Sequence, residues 1–378
     1  APHYRLACLG LSKLEAGSMS FLANLKRWSA LGFGVGRTAY YATQARALQS
    51  LSSLWVPGGF PTRPESKDLR DTLARRTLEL IREDAGFFAD GSFPFSVLKP
   101  ESPLKHGLRA FDVVRDGYRT IKQRKAGRTQ IFDEAGSQRA ADKPRYYQRN
   151  FHFQDNGYLS DRSAKLYEHQ VEILFAGTAD IMRRLALRAL VKRFGKTSNT
   201  TELKILEVGA GTGCTSRMIH ALYPKAHITL SDLSEVYLKY AREGLTQAER
   251  VDFVQAAGEA LPFKDDQFDA VVSVFLFHEL PEAVRVEVLS EMKRVTKSGG
   301  AVIAVDSIQP HDAPELAPVL EQFPKDFHEP YYRNYLEHPL EGHFEQAGLT
   351  AQVEGLAVLS NLGKHGYCLC KFRQAALC

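Results

Sequence analysis

From residue 203 onward the chain alternates short apolar runs with amphipathic stretches. The runs fall at 204–208, 227–230, 251–255, 270–275 and 301–305, and residues 215–222, 235–243 and 283–295 place apolar side chains at helical spacing between them. Short buried strands separated by crossover helices are the pattern of a parallel sheet. Two further apolar runs, around 351–359 and 367–372, follow a helix near 342–347 and read as an antiparallel pair that finishes the sheet. The expectation is an α/β fold, a doubly wound and mostly parallel seven-stranded sheet preceded by a mainly helical extension.

The extension is less regular. Residues 67–82 carry Leu69, Leu73, Leu80 and Ile81 near helical spacing, which predicts a helix. Residues 87–103 are rich in Phe, Pro and Gly and read as irregular but packed. Between 115 and 149 there are ten Lys and Arg against four Asp and Glu, so a solvated face and a nucleic-acid patch both fit. Tyr146, Tyr147 and Phe151 at its end suggest that the segment docks on the domain C-terminal to it. Leu166, Val171, Ile173, Leu174, Ile181, Leu185, Leu187 and Leu190 predict one long helical stretch over 158–194, closed by Gly195. Three parts result: a basic leader or linker (1–64), a helical and irregular extension (65–157) and the α/β unit (158–378).

Composition narrows the class. The 378 residues are 44% hydrophobic and 25% charged with a net charge of +5, as in a globular protein. Cys8, Cys214, Cys368, Cys370 and Cys378 form no CxxC and no zinc spacing with histidine, so no metal is expected and the thiols read as reduced. No apolar run approaches the ~20 residues that span a bilayer, so a soluble or peripheral protein is expected. The chain starts Ala-Pro-His, and its first 64 residues hold one acid, Glu15, against seven basic residues. Basic, Ser-rich and acid-poor is the composition of an organellar transit peptide, and equally of a basic surface helix with a linker.

The chemistry centres on Ile205-Leu206-Glu207-Val208-Gly209-Ala210-Gly211-Thr212-Gly213, where a strand runs into a glycine-rich turn and then a helix. Such a turn lets backbone approach a ligand closely. Asp232 ends the second strand about twenty residues on, where a carboxylate accepts ribose hydroxyls. Both features also suit a dinucleotide site.

Glu-x-Gly-x-Gly-x-Gly after an apolar strand resembles motif I of class I S-adenosylmethionine-dependent methyltransferases, which have a Rossmann-like fold. Residues 255–263 (QAAGEALPF) resemble the segment after the third strand in the quinone-biosynthesis type, and the Phe268–Val272 and Phe275–Pro281 stretches resemble its fourth strand and substrate-facing loop. The resemblance implies cofactor contacts from Glu207, Gly209, Ala210, Gly211, Gly213, Asp232, Leu233, Gly258, Glu259 and Phe275. Ala257 stands where that family usually has an Asp or Asn for the adenine amino group, which leaves backbone near Gly258 and Glu259 to do this. A longer resemblance, carried by Asn150–Gln154, Gly157–Ser160, Leu166–Glu172, Gly177–Asp180, Asp306–Gln309 and Phe327–Tyr332, is to a methyltransferase group of cyanobacteria, algae and plants. It implies a plastid location and supplies no acceptor; a cytoplasmic protein is the alternative.

Methyl transfer from a sulfonium needs alignment and water exclusion, plus a general base when the acceptor carries a proton. The candidates for that base are His278 and Glu279 after the fourth strand and His328 with Glu329 after the fifth, with His152 and Gln154 behind them. Tyr158 and Tyr167 fit a lid over the cofactor, or packing of their helix. The aromatic-rich flanks favour a small apolar or aromatic acceptor of lipid, quinone, pigment or isoprenoid type, with peripheral membrane contact and no stable nucleic-acid partner. An RNA or protein methyltransferase and a non-catalytic scaffold remain open alternatives, and the oligomeric state is not legible.

Overall fold

The computed structural model describes residues 20–55, 66–98, 103–128, 132–152, 156–196, 202–246, 248–350, 352–358 and 369–376. The cysteines Cys8, Cys368 and Cys378, and Phe153 and Gln154, lie outside the described residues. Among the described residues six helices come first: α1 (Phe21–Trp55), α2 (Lys67–Ala89), α3 (Pro103–Lys125), α4 (Glu134–Ala140), α5 (Asp161–Leu174) and α6 (Ala179–Phe194). The α/β unit comes next as β1 (Lys204–Val208), α7 (Cys214–Leu222), β2 (His227–Asp232), α8 (Glu235–Gly244), β3 (Val251–Gln255), β4 (Phe268–Val274), α9 (Glu282–Val295) and β5 (Thr296–Ser307). Helices α10 (Ala317–Phe327), α11 (Tyr332–Glu337) and α12 (Leu340–Gln346) precede β6 (Gln352–Val358) and β7 (Leu369–Ala376).

The seven strands stand in the order β3-β2-β1-β4-β5-β7-β6. The first five are parallel, and β7 runs antiparallel between β5 and β6. Ile205, Leu206, Val208, Ala270–Val272 and Ala301–Val305 are buried in succession rather than alternately. That is what a sheet covered on both faces requires, and it explains why these strands read as continuous apolar runs. The winding reverses between β1 and β4, so a crevice opens at their carboxyl ends.

One sequence expectation needs correction. The stretch over 158–194 is not one helix: a 3-10 turn at Gly157–Leu159 leads into α5, and Ala176 and Gly177 at φ 43° and 82° break the chain before α6. A Cβ on Gly177 would lie 2.8 Å from the Arg37 carbonyl oxygen, so the break admits the backbone of α1. Helical periodicity runs through such a break because both helices bury apolar faces.

Within 1–64, residues 21–55 form the helix α1. In α1, Ala30, Tyr41 and Ala45 are buried, and Arg37 pairs with Glu172 at 2.9 Å and Asp180 at 2.7 Å. The basic run over 115–149 is also engaged with the rest of the chain. Arg124 pairs with Asp326 at 2.7 Å, Arg139 donates to the Leu159 carbonyl at 2.7 Å, and Arg149 lies over the Tyr331 ring.

Candidate active site

The glycine turn after β1 is shaped by three residues at positive φ, Gly209, Gly211 and Gly213, at 69°, 54° and 74°. They do different things. A Cβ on Gly213 would come within 2.9 Å of the Ala241 Cβ and 3.0 Å of Leu230 Cδ2, so this glycine lets α7 pack against α8 and β2 and does not line the crevice. Gly211 has open space above it, with only Tyr237 Cδ1 at 3.8 Å. Its N–H donates to Asp232 Oδ2 at 2.8 Å, while the Ser234 N–H donates to Oδ1 at 2.7 Å. The Asp232 carboxylate is thus aimed by backbone from both sides, and burial raises it to about 6.

Glu207 lies under the turn, buried, and accepts from the Ser216 hydroxyl. Burial outweighs that bond and pushes its carboxyl up to about 7. Glu168 of α5 faces the same turn, where it accepts from the Thr212 hydroxyl and pairs with buried Arg183 at 2.9 Å. Cys214 opens α7 beside them, but burial raises its thiol, so it is a packing residue rather than an activated thiol.

Aromatic side chains cover this floor. Tyr146, Tyr147, Phe151, Tyr158, Tyr167 and Tyr237 line the crevice opposite the turn, with Phe275 from the loop after β4. They stack on one another, Phe151 on Tyr158 at 5.3 Å and Tyr158 edge-on to Tyr167 at 6.0 Å and Tyr237 at 5.5 Å. The cover is tied down by the Tyr146 hydroxyl, which donates to both oxygens of Glu259 at 2.6 and 2.8 Å, and by Ser234 Oγ, which donates to the Tyr158 carbonyl at 2.7 Å. The crevice it leaves is narrow, about 110 Å³.

Of the sequence-derived contacts, Glu207, Gly209, Ala210, Gly211, Asp232, Leu233, Gly258, Glu259, Phe275, Tyr158 and Tyr167 come together here. Gly213 and Ala257 do not. Among the described base candidates only Glu279 reaches the crevice, accepting from the Tyr158 hydroxyl at 2.5 Å. His278 turns behind it. Its Nδ1 lies 2.6 Å from Asp306 Oδ1, whose other oxygen accepts the Phe277 N–H at 2.7 Å, so His278 pins the β4 loop to the end of β5. Burial alone would lower His278, but Asp306 and Glu279 outweigh it and hold it at about 10.

His328, in the left-handed conformation at φ 51° where α10 ends, lines no part of the crevice. Its carbonyl accepts from the His152 N–H at 3.4 Å. His152 holds the more central place. Its Nε2 is 2.9 Å from the Tyr158 hydroxyl, and its Nδ1 is 2.9 Å from Glu329 Oε1. That second approach is a charge contact off the hydrogen-bond axis, since neither buried oxygen of Glu329 has a hydrogen-bond partner. Burial lowers His152, and Glu329 and Glu279 more than offset it, to about 10. His152, Glu279 and Glu329 bring ligand-type atoms within 4.8 Å of one another, a grouping absent from the sequence expectation of no metal site.

Glu168, Arg183 and Tyr237 were not singled out from the sequence. For Glu168 and Arg183 the available signal was charge on the apolar-periodic helices α5 and α6, which marks groups buried in pairs.

Residues 205–300 match the family model described as a methyltransferase domain. The demethylmenaquinone methyltransferase of Clavibacter sepedonicus is 32% identical over 152 residues, 40% of this chain and 58% of that protein. The ubiquinone/menaquinone biosynthesis C-methyltransferase UbiE of Pseudomonas fluorescens is 29% identical over 154 residues, 40% of this chain and 57% of that protein. The chain therefore spans less than two thirds of the length of these curated relatives. A solved S-adenosylmethionine-dependent methyltransferase from Aquifex aeolicus aligns with 57% of this chain and 98% of its own at 21% identity and a TM-score of 0.37. The glycine turn and Asp232 both lie within residues 205–300, the part of this chain that matches a methyltransferase domain.

Proposed function

We propose that the chain transfers a methyl group from S-adenosylmethionine to a small apolar or aromatic acceptor of quinol type. The observation that carries this is a switch-point crevice with an acidic, glycine-built floor and an aromatic cover. When bound, the cofactor supplies a methyl group already activated on a sulfonium. The residues fit it: Asp232 retains lone pairs for ribose hydroxyls, Gly211 leaves room over the turn, and Glu207 and Glu168 offer negative charge to an ammonium group. Tyrosine faces suit a sulfonium through cation–π attraction.

Glu279 is the group this reading assigns to take the acceptor's proton, directly or through the Tyr158 hydroxyl. His278 is a positioning residue fixed on Asp306. The names of the curated relatives support a quinone-type acceptor. In this reading 158–378 is the methyltransferase unit and 65–157 its cap.

No described helix is long and apolar enough to cross a membrane. Exposed Phe21, Leu22, Leu25 and Trp28, beside Lys26 and Arg27 on α1, support peripheral contact with a lipid surface. The acid-poor composition of 1–64 supports a plastid or other organellar location, which imaging of a tagged full chain checks.

Calorimetric titration with S-adenosylmethionine and S-adenosylhomocysteine, with Asp232→Ala alongside, tests the cofactor reading. Micromolar binding that the variant loses supports it. Absence of binding by folded protein overturns it in favour of a scaffold.

A further inference from the structure

A second cavity of about 220 Å³, partly open to solvent, lies next to the crevice among the helices. Leu48 of α1, Val113 and Ile121 of α3, Val171 and Leu174 of α5, and Phe327 of α10 make its wall almost wholly apolar. Gln49, Thr120, His152 and Gln170 are the polar residues that border it. Tyr167 borders both spaces, and the hydrogen-bonded His152–Tyr158 pair completes the partition. One side chain's thickness therefore separates this cavity from the crevice assigned to the methyl donor.

We infer that this cavity holds the prenyl or alkyl arm of the methyl acceptor, with the acceptor's ring at Tyr167 and its hydroxyl towards His152, Tyr158 and Glu279. The inference rests on the methyltransferase reading and adds where and how the acceptor is held. A packing fault is the competing account, and two observations weigh against it. The space is partly open to solvent, so its apolar wall meets water until an apolar occupant covers it. In addition, Gly117 lies mid-helix in α3 at the wall, where glycine is a poor helix former. A Cβ there would meet only Leu48 Cδ2, at 3.9 Å, so backbone packing does not demand glycine, and its effect is to keep the wall open. Few polar groups among many apolar ones is the make-up of a small-molecule site. An apolar cavity of about 150 Å³ takes one benzene, so this volume suits about nine carbons, close to two isoprene units.

The test uses the full chain, with Gly117→Phe to fill the cavity and Gly117→Ala to change it little. Both substitutions favour the helix, and thermal melting checks that both variants fold. Naphthoquinols bearing no, one, two or four prenyl units are assayed as acceptors, and geraniol binding is measured directly by calorimetry. In the wild type, kcat/KM should rise about tenfold or more up to two units and then level off, because each buried methylene adds affinity. Gly117→Phe should turn over all members alike and lose geraniol binding, and Gly117→Ala should keep most of both. An arm preference or geraniol affinity that survives in Gly117→Phe, or a wild type indifferent to the arm, overturns the inference. Binding of S-adenosylhomocysteine without geraniol binding sinks the cavity alone. Failure to bind S-adenosylhomocysteine sinks the methyltransferase reading, and the geraniol result still decides the cavity.

Discussion

Glu207 gives the sharpest quantitative test of the floor of the crevice. Its carboxyl is fully enclosed and stands near 7 instead of the ordinary 4.5, because burial penalises the charge more than the Ser216 hydroxyl favours it. At about 1.4 kcal/mol per pH unit, carrying that charge costs the unliganded protein roughly 3 kcal/mol. A cationic ligand that pairs with Glu207 must first see it ionised. The ionised fraction is about nine-tenths at pH 8, half at pH 7 and one-tenth at pH 6, so affinity should fall about tenfold from pH 8 to pH 6. Asp232, near 6, adds its own loss mainly below that window. Binding at pH 7 should release about half a proton from Glu207, which is read from titrations in buffers of different ionisation enthalpy. In Glu207→Gln the amide oxygen still accepts from Ser216, so the fold is kept while the titration is removed. The variant should bind weakly at every pH, with a nearly flat profile between 6 and 8. The unliganded protein should show the opposite dependence. A carboxyl held above its unfolded value stabilises the fold below about 4.5, and that contribution is lost as pH rises through 7. Equal pH slopes in wild type and Glu207→Gln, or a flat wild-type profile, would refute the reasoning.

Three further outcomes are expected. Gly213→Ala should cost roughly 2–4 kcal/mol in urea unfolding, since it adds a strained φ and a clash with Ala241, while Gly211→Ala should cost about 1 kcal/mol yet weaken cofactor binding at least tenfold. Asp306→Asn should destabilise the protein by about 3–5 kcal/mol near pH 6.5 by leaving His278 buried without its partner. His278 stabilises the fold fully below 6.5 and ceases to as pH rises through 10, so the wild type should lose stability across that span and the variant should lose less, as unfolding at several pH values will show. Glu279→Gln should lower kcat about 10²- to 10⁴-fold with S-adenosylhomocysteine affinity retained, whereas His328→Asn, which keeps the left-handed backbone, should change kcat less than about twofold.

The α/β unit was legible in the sequence because its signals are local. Strands buried on both faces are continuous apolar runs, and a turn that needs positive φ three times spells itself in glycines, so β1, the turn and Asp232 were placed from the sequence alone. The antiparallel β6–β7 pair was also readable, from two apolar runs after a helix. What the sequence left undecided depends on contacts between distant segments. Gly213 and Gly211 look alike in the motif, and only the packing of α7 on Ala241 and Leu230 separates a structural glycine from one facing the ligand. His278 and Glu279 are neighbours in sequence, yet Asp306, 28 residues on, turns one away from the crevice and leaves the other in it. His152 gained its place from Glu329 and Tyr158, and the second cavity from four helices spread over 45–327. Periodicity tells which face of a helix is buried, but not what it is buried against. A void between helices, or a buried charge waiting for a partner, exists only once the chain has brought those faces together.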